Sequence, residues 1–127
     1  MPKEFLNPPA LSQPSGYSHV VKAGSTVYIA GQVALNSKGE IVGAGDAKAQ
    51  ARQVLANLEA AVKAAGGAKK DIVSITTYLV SRDHLPAYRE ARSEFFGDHP
   101  PASTLLIISG LARPEILIEV SAVAALG

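Results

Sequence analysis

Residues 116–125, with the sequence ILIEVSAVAA, decide the fold. Every even-numbered position in this stretch is apolar, whereas the odd-numbered positions include Glu119 and Ser121. Because side chains alternate across a β-strand, one face of the strand is continuously apolar and Glu119 points to the other. The pattern predicts a strand whose apolar face packs on helices and whose second face carries a carboxylate.

Two helices are predicted upstream of this strand. In each of them, apolar residues recur three and four positions apart, which is typical of a helix with one buried face. The first begins after Asp46, which can cap the free N–H groups, and runs to about Ala65 before a glycine pair. The second begins near His84 and ends at Gly97.

The remaining periodic segments predict strands, joined by turns rich in glycine. The chain up to Gly16 is predicted to be an extended arm, and the strands fall at residues 18–22, 26–33, 72–80, 102–109 and 116–125. The segment 102–109 is apolar on both faces, so it needs cover on both sides. Two helices cover only one face of a four- or five-stranded sheet, and we therefore expect another subunit to cover the second face.

Composition indicates one domain and excludes several kinds of site. The 127 residues are 47% apolar and only 18% charged, an apolar excess that a subunit interface would bury. The absence of cysteine excludes disulfides and thiolate metal sites. With a formal net charge of +1, no signal-peptide pattern and no membrane-length apolar run, we expect a cytoplasmic protein that binds neither nucleic acid nor membrane.

The histidines and Glu119 are the candidate chemical groups. His19, His84 and His99 are too scattered for a metal motif, so we expect surface or turn histidines and no metal. Glu119 has two interpretations. Either burial raises its pKa and lets it relay protons to and from a water, or it is a solvated glutamate on a sheet edge.

Four further residues have a functional and a structural interpretation. Gly31 interrupts a strand, either because a ligand lies against its backbone or because a bulge curves the strand there. Tyr17 is either a lid over a site or a packed aromatic residue. Arg89 and Arg92 lie one helical turn apart and either clamp a carboxylate or form a solvated or ion-paired helix face.

A series of short segments carries a resemblance that covers nearly the whole chain. Its members keep a characteristic order and spacing: Gly16-Tyr17, residues 28–33 (YIAGQV), residues 50–53 (QARQ) with Leu58, residues 71–73 (DIV), Phe95-Phe96, residues 101–104 (PAST) and residues 118–120 (IEV). Through this series the chain resembles the Rid family of reactive-intermediate deaminases, the YjgF-type proteins.

The resemblance implies a chorismate-mutase-like α+β fold spanning residues 1–127, with two helices on one face of a mixed sheet. It also implies a homotrimer with a central β-barrel and ligand clefts between subunits. Deaminating members hydrolyse 2-iminobutanoate, 2-iminopropanoate or related enamines to ketoacids and ammonia, without a cofactor. Transferred to this chain, Glu119 and Tyr17 are the catalytic candidates, and Ala30, Gly31 and Thr104 are substrate-binding candidates.

One position departs from the deaminating pattern Pro-Ala-Arg-Ser. This chain has Ser103 in place of the arginine that holds the substrate carboxylate, and a serine cannot form a bidentate charged pair. Two interpretations follow: Arg89 or Arg92 supplies the clamp from a new direction, or the ligand has no carboxylate at that place. The expected function is therefore an imine or enamine hydrolase of altered substrate range. The alternatives are a non-catalytic metabolite-binding trimer and, less favoured, a ribonuclease or translation inhibitor.

Overall fold

A computed structural model describes residues 2–127. The elements are six strands and two helices in one mixed α+β fold: β1 (Lys3–Leu6), β2 (Val20–Ala23), β3 (Thr26–Gln32), α1 (Ala47–Ala64), β4 (Ile72–Leu79), α2 (Leu85–Phe96), β5 (Ala102–Ile107) and β6 (Ile118–Ala125). The strands form one sheet in the order β1-β2-β3-β6-β4-β5, in which β4 and β5 run parallel and every other neighbouring pair is antiparallel.

Both predicted helices are confirmed. The Asp46 side chain accepts a hydrogen bond from the Ala49 N–H at 3.1 Å, and this cap starts α1. The helix ends at its C-cap residue Ala65, and α2 follows His84. Among residues 2–127 there is no helix long and apolar enough to cross a membrane.

The number of strands was predicted wrongly. The sheet has six strands rather than four or five, because the arm contributes β1, which pairs antiparallel with β2. In this pairing Lys3 faces Ala23 and Leu6 faces Val20. Without β1, the outer edge of β2 would expose a row of unpaired backbone groups. The four residues of β1 pair with these groups, but so short a strand shows no clear alternation of apolar and polar residues in the sequence.

The core lies between the helices and one face of the sheet, as residues 116–125 predicted. The even-numbered side chains of β6 are buried, with exposures of 0% for Ile118, Val120 and Ala124 and 5% for Ala122. Their partners on α1 include Val54, Leu58 and Val62, all at 0%. The odd-numbered side chains of β6, apart from the exposed Ala125, are half-buried on the opposite face, which we call the open face.

The expectation that the segment after Pro101 is buried on both sides is wrong for a single chain. β5 lies at the edge of the sheet, where Leu106 is 43% exposed and Ile107 is 41% exposed. The open face also exposes Phe5 (65%) and Tyr28 (52%). No element of the chain between residues 2 and 127 lies beyond β5 to cover it, which is the physical reason for the difference.

A buried amide fixes β6 against α1. Gln50 is fully buried, and its Nε2 donates to the carbonyl oxygens of Gly43 (3.2 Å) and Glu115 (2.8 Å). Its Oε1 accepts a hydrogen bond from the Leu117 N–H at 2.9 Å. The amide therefore provides hydrogen-bond partners for the backbone of Glu115 and Leu117, just before β6, and fixes the start of the strand that carries Glu119.

Candidate functional site

The strand β3 carries a bulge next to Glu119. Ile29 pairs with Ala122 and Gln32 pairs with Val120, so β3 uses one more residue than β6 between these two pairs. The extra residue falls in the Ala30-Gly31 segment, which confirms the bulge interpretation of Gly31.

Gly31 also provides space for the Glu119 carboxylate. A Cβ atom built on Gly31 would lie 2.1 Å from Oε2 of Glu119 and 2.7 Å from its Cδ. Real Cβ atoms do not approach other heavy atoms this closely, so any side chain at this position would displace the carboxylate. The ligand interpretation of Gly31 stays a prediction, since the group that lies against its backbone is the Glu119 carboxylate.

Glu119 lies within the sheet rather than at its edge. Its strand has β3 on one side and β4 on the other, so the interpretation as a solvated edge glutamate is wrong. Burial raises the pKa of the Glu119 carboxyl above its ordinary range. Within residues 2–127 no side chain forms an ion pair with it. A partly dehydrated, unpaired carboxylate is a stronger base than one in water, and it can accept a proton from a bound water.

A chain of polar contacts connects Tyr17 to the bulge. The Tyr17 ring packs edge-on against His19, with ring centroids 5.3 Å apart. The His19 Nε2 lies 2.7 Å from the Ser12 carbonyl oxygen and must carry the proton, so Nδ1 accepts from Gln32 Nε2 at 3.1 Å. The same Gln32 nitrogen donates to the carbonyl oxygen of Ala30 at 3.0 Å. Tyr17 is 51% exposed and lines a separate groove with residues of the arm, among them Pro8 and Ser12.

His19 corrects one prediction from the sequence. The sequence predicts a surface or turn histidine. His19 does lie in a bend, but it is not a surface residue, since it is only 3% exposed and both ring nitrogens have partners inside the fold. The sequence predicts no site role for His19 or Gln32. The only available signal was that Gln32 lies within the family-like segment 28–33.

The open face holds a cavity of about 370 Å³ beside the bulge. Its lining is mostly small or hydroxylated and includes Ala30, Thr76 and Ser121. Thr104 pairs with Thr76 and therefore faces the same side of the sheet. No group of three or more His, Cys, Asp or Glu residues in the described part of the chain is arranged to hold a metal ion.

A second group of candidates lies where α2 ends and β5 begins. Arg92 and Ser103 line one groove of about 310 Å³ with Ser93, Phe96, Gly97, Pro100 and Pro101. The Arg92 guanidinium lies 5.4 Å from the centre of the Tyr88 ring. Arg89 is exposed on α2 and does not line the groove.

The buried Tyr88 supports Arg92 from below. Its hydroxyl lies 2.6 Å from Thr77 Oγ1, which joins α2 to β4. Burial raises the pKa of Tyr88, while the hydrogen bond with Thr77 and the charge of Arg92 act in the opposite direction. The tyrosine is thus a neutral platform on which the guanidinium stacks.

The two groups of candidates lie on opposite faces of the sheet. Ser103 pairs with Ile75, which is buried beneath the helices. Glu119 pairs with Tyr78, three residues further along β4 and therefore on the open face. One chain brings Ala30, Gly31 and Glu119 together but does not bring Ser103 or Arg92 to them. Tyr17 is connected to the bulge only through His19 and Gln32.

Comparisons with known proteins assign the family. The model of the family described as Endoribonuclease L-PSP matches residues 8–126. A RutC family protein of Pyrococcus horikoshii is 39% identical over 124 residues, covering 96% of this chain and 97% of that protein. The 3-aminoacrylate deaminase RutC of Acinetobacter baylyi is 34% identical over 125 residues and covers 98% of each chain.

Among solved structures, that of E. coli TdcF with bound serine matches with a TM-score of 0.89 at 26% identity. The match covers 98% of this chain and 99% of TdcF. The agreement in fold extends over the sheet and both helices, as the mixed α+β prediction required. The chain therefore belongs to the Endoribonuclease L-PSP family, the YjgF-type or Rid family that the sequence resembles.

Proposed function

We propose that the protein is a deaminase that hydrolyses small imines or enamines, with Glu119 as the residue that activates water. The observation that carries the proposal is the half-buried Glu119 carboxylate, which lies against the Gly31 backbone and has a raised pKa. The similarity to a 3-aminoacrylate deaminase supports the reaction class, and the serine bound to TdcF supports a ligand of amino-acid size.

The reaction needs one base that later acts as an acid. In the protonated imine, C=NH2+, Glu119 takes a proton from water as the oxygen bonds to carbon and the C=N π electrons move to nitrogen. Glu119 then gives this proton to the amino nitrogen. It takes up the hydroxyl proton as the C–N bond breaks, the C=O group forms and ammonia leaves, and it finally releases that proton to solvent. A carboxyl group whose pKa lies nearer to neutrality than usual serves both steps well. An enamine enters the same sequence after protonation at carbon.

The proposed site is shared by two subunits. The bulge backbone at Ala30 and Gly31 forms its floor, and the family resemblance favours Tyr17 as a residue at its border. Because Ser103 and Arg92 face the other side of their own sheet, they can complete the site only on a neighbouring copy. The exposed open face gives that copy an apolar surface to cover, and the family resemblance favours a homotrimer.

The test compares Glu119→Gln with wild type on 2-iminopropanoate made in situ by an amino-acid oxidase. We expect the variant to lose 100-fold or more of the acceleration of imine decay, since general acid–base catalysis contributes about 10² to 10⁴. Glu4→Gln, which changes an exposed glutamate on β1, is the matched control and should retain full activity. Equal activity in the two variants would refute the role of Glu119.

Ser103 favours a second candidate function, a trimer that binds a small metabolite without turnover. A serine at that position donates a single neutral hydrogen bond, so transition-state anchoring through a charged pair is lost there. This candidate requires ligand-dependent thermal stabilisation of the wild-type protein without any acceleration of imine decay.

RNA cleavage, which the family description names, is the least favoured candidate. The chain has 12 lysines and arginines against 11 aspartates and glutamates, which gives little long-range attraction to a phosphate backbone. The minimal requirement for this function is steeply salt-dependent RNA binding, measured by titration at several ionic strengths.

A further inference from the structure

The groove between the end of α2 and the start of β5 indicates which substrates the site accepts. Resting on the hydrolase function proposed above, we infer that Arg92, assisted by the Ser103 hydroxyl, binds the carboxylate of the substrate. The substrates are then imino or enamino acids, and neutral imines are poor substrates. Arg89, which the sequence left as an equal alternative, has no part in this.

Packing holds the Arg92 side chain in place, and none of the ion pairs among the described residues involves its guanidinium. Its guanidinium stacks over the Tyr88 ring, which is fixed in turn by the bond to Thr77. The ion pairs among residues 2–127 join Lys48 to Glu90, Arg52 to Glu94 and Lys63 to Glu59, so none of them neutralises Arg92. A half-buried, pre-oriented guanidinium without an acidic partner is suited to bind a carboxylate through two parallel N–H bonds.

The rest of the groove complements a carboxylate. Ser93 and Ser103 each offer a hydroxyl, and Phe96 and Pro101 add apolar lining. Apolar walls reduce the water around a bound anion and strengthen the charged hydrogen bond. No aspartate or glutamate is among the residues that line this groove, and the neighbouring Asp98 is exposed to solvent.

Arg92 lines the same groove as Ser103, which stands at the position of the arginine whose role Arg92 would take. Ser103 occupies the position where the deaminating pattern of the Rid family has its arginine, and both side chains face the helix-covered side of β5. The positive charge therefore enters from α2 rather than from the strand. On a neighbouring subunit this groove would meet the open face that carries Glu119.

Arg89 is the matched control for Arg92. It lies on the same helix and carries the same charge, but it is exposed and outside the groove. We compare Arg92→Gln with Arg89→Gln on 2-iminopropanoate. We expect Arg92→Gln to lower kcat/KM by about 10- to 100-fold, mainly through KM, since hydrogen bonds to charged groups have this magnitude. Arg89→Gln should be unchanged.

A binding measurement separates this inference from the proposed hydrolysis. Pyruvate, the product of 2-iminopropanoate hydrolysis, is titrated against the Glu119→Gln protein, and against the same protein with Arg92→Gln added, by calorimetry and thermal shift. We expect pyruvate to bind and stabilise the first protein and to bind the second about 10-fold or more weakly. Pyruvamide, which lacks the charge, should bind both equally weakly.

The outcomes are distinguishable. If Arg92→Gln and Arg89→Gln behave alike in turnover and in pyruvate binding, the inference is overturned, while turnover by the wild type would leave the hydrolase function standing. If the wild type shows no turnover but binds pyruvate in an Arg92-dependent manner, the hydrolase function fails and the carboxylate site stands. If Arg92→Gln does not fold, Arg92→Lys decides: weaker pyruvate binding supports the inference and unchanged binding overturns it.

Discussion

Replacing Gly31 by alanine should remove activity while leaving stability almost unchanged. The new Cβ would lie 2.1 Å from Oε2 of Glu119, whereas ordinary van der Waals contact begins at 3.4 Å. The carboxylate oxygen must therefore retreat by about 1.3 Å, the difference between these distances. A misplacement of about 1 Å can cost 100-fold in rate, so we expect about that loss in kcat for imine hydrolysis.

The stability should change little because the clash is with the end of a flexible side chain. Gly31 is not among the glycines with a positive φ, so alanine is compatible with its backbone conformation. Restricting the unfolded chain contributes about 0.4–1 kcal/mol of stability. Moving Glu119 away from its preferred rotamer costs about 0.5–1.5 kcal/mol. We therefore expect the free energy of unfolding to remain within about 1 kcal/mol of wild type.

The assay follows the decay of 2-iminopropanoate alongside urea denaturation of the same samples. Gly110→Ala is the control, since an added Cβ there meets no heavy atom within 4 Å and φ is not positive. In the Glu119→Gln background, Gly31→Ala should cause no further loss of the residual rate, because both changes act through one carboxylate. An undiminished rate in Gly31→Ala, or a full additional loss in that background, would refute the reasoning.

Three further predictions follow from individual residues. Burial raises the pKa of Glu119 in the folded state, so the stability of the wild type falls as the pH rises from the ordinary glutamate pKa through the raised one. Glu119→Gln should therefore raise the melting temperature at neutral pH. Well below the ordinary glutamate pKa it should leave the melting temperature unchanged. A melting temperature unaltered at neutral pH would contradict this. Gln50→Ala leaves two carbonyl oxygens and the Leu117 N–H without their partner, so the free energy of unfolding in urea should fall by about 3 kcal/mol. Ser103→Arg should give little or no gain in kcat/KM for imine hydrolysis, because Arg92 already supplies the charge for the substrate carboxylate, and a gain of about tenfold or more would contradict the role of Arg92.

The sequence predicted the faces of β6 well because alternation is a local property. Residues 116–125 placed Glu119 opposite the helix-packed face, and the burial of Ile118 and Val120 confirms this. The helices were predicted for the same reason, since Asp46 and the apolar spacing act within a few residues of each other. Such local patterns do not depend on what the rest of the chain does.

Other features depend on partners far along the chain, and the sequence could not predict them. Gln50 bonds the Leu117 N–H across 67 positions, and nothing near Gln50 marks that contact. His19 is buried only because the arm and Gln32 fold around it. Likewise, the choice between Arg89 and Arg92 rests on which side of α2 faces β5, and helical spacing alone does not determine this.

Subunit complementation tests the central claim most directly, namely that the site is shared by two copies of the chain. Glu119→Gln and Arg92→Gln proteins are denatured together, refolded as a mixture and assayed on 2-iminopropanoate. If Glu119 of one subunit acts with Arg92 of its neighbour, random assembly creates intact sites, and we expect about a quarter of the wild-type rate. If the mixture is no more active than the mean of the two separately refolded variants, the shared site is contradicted.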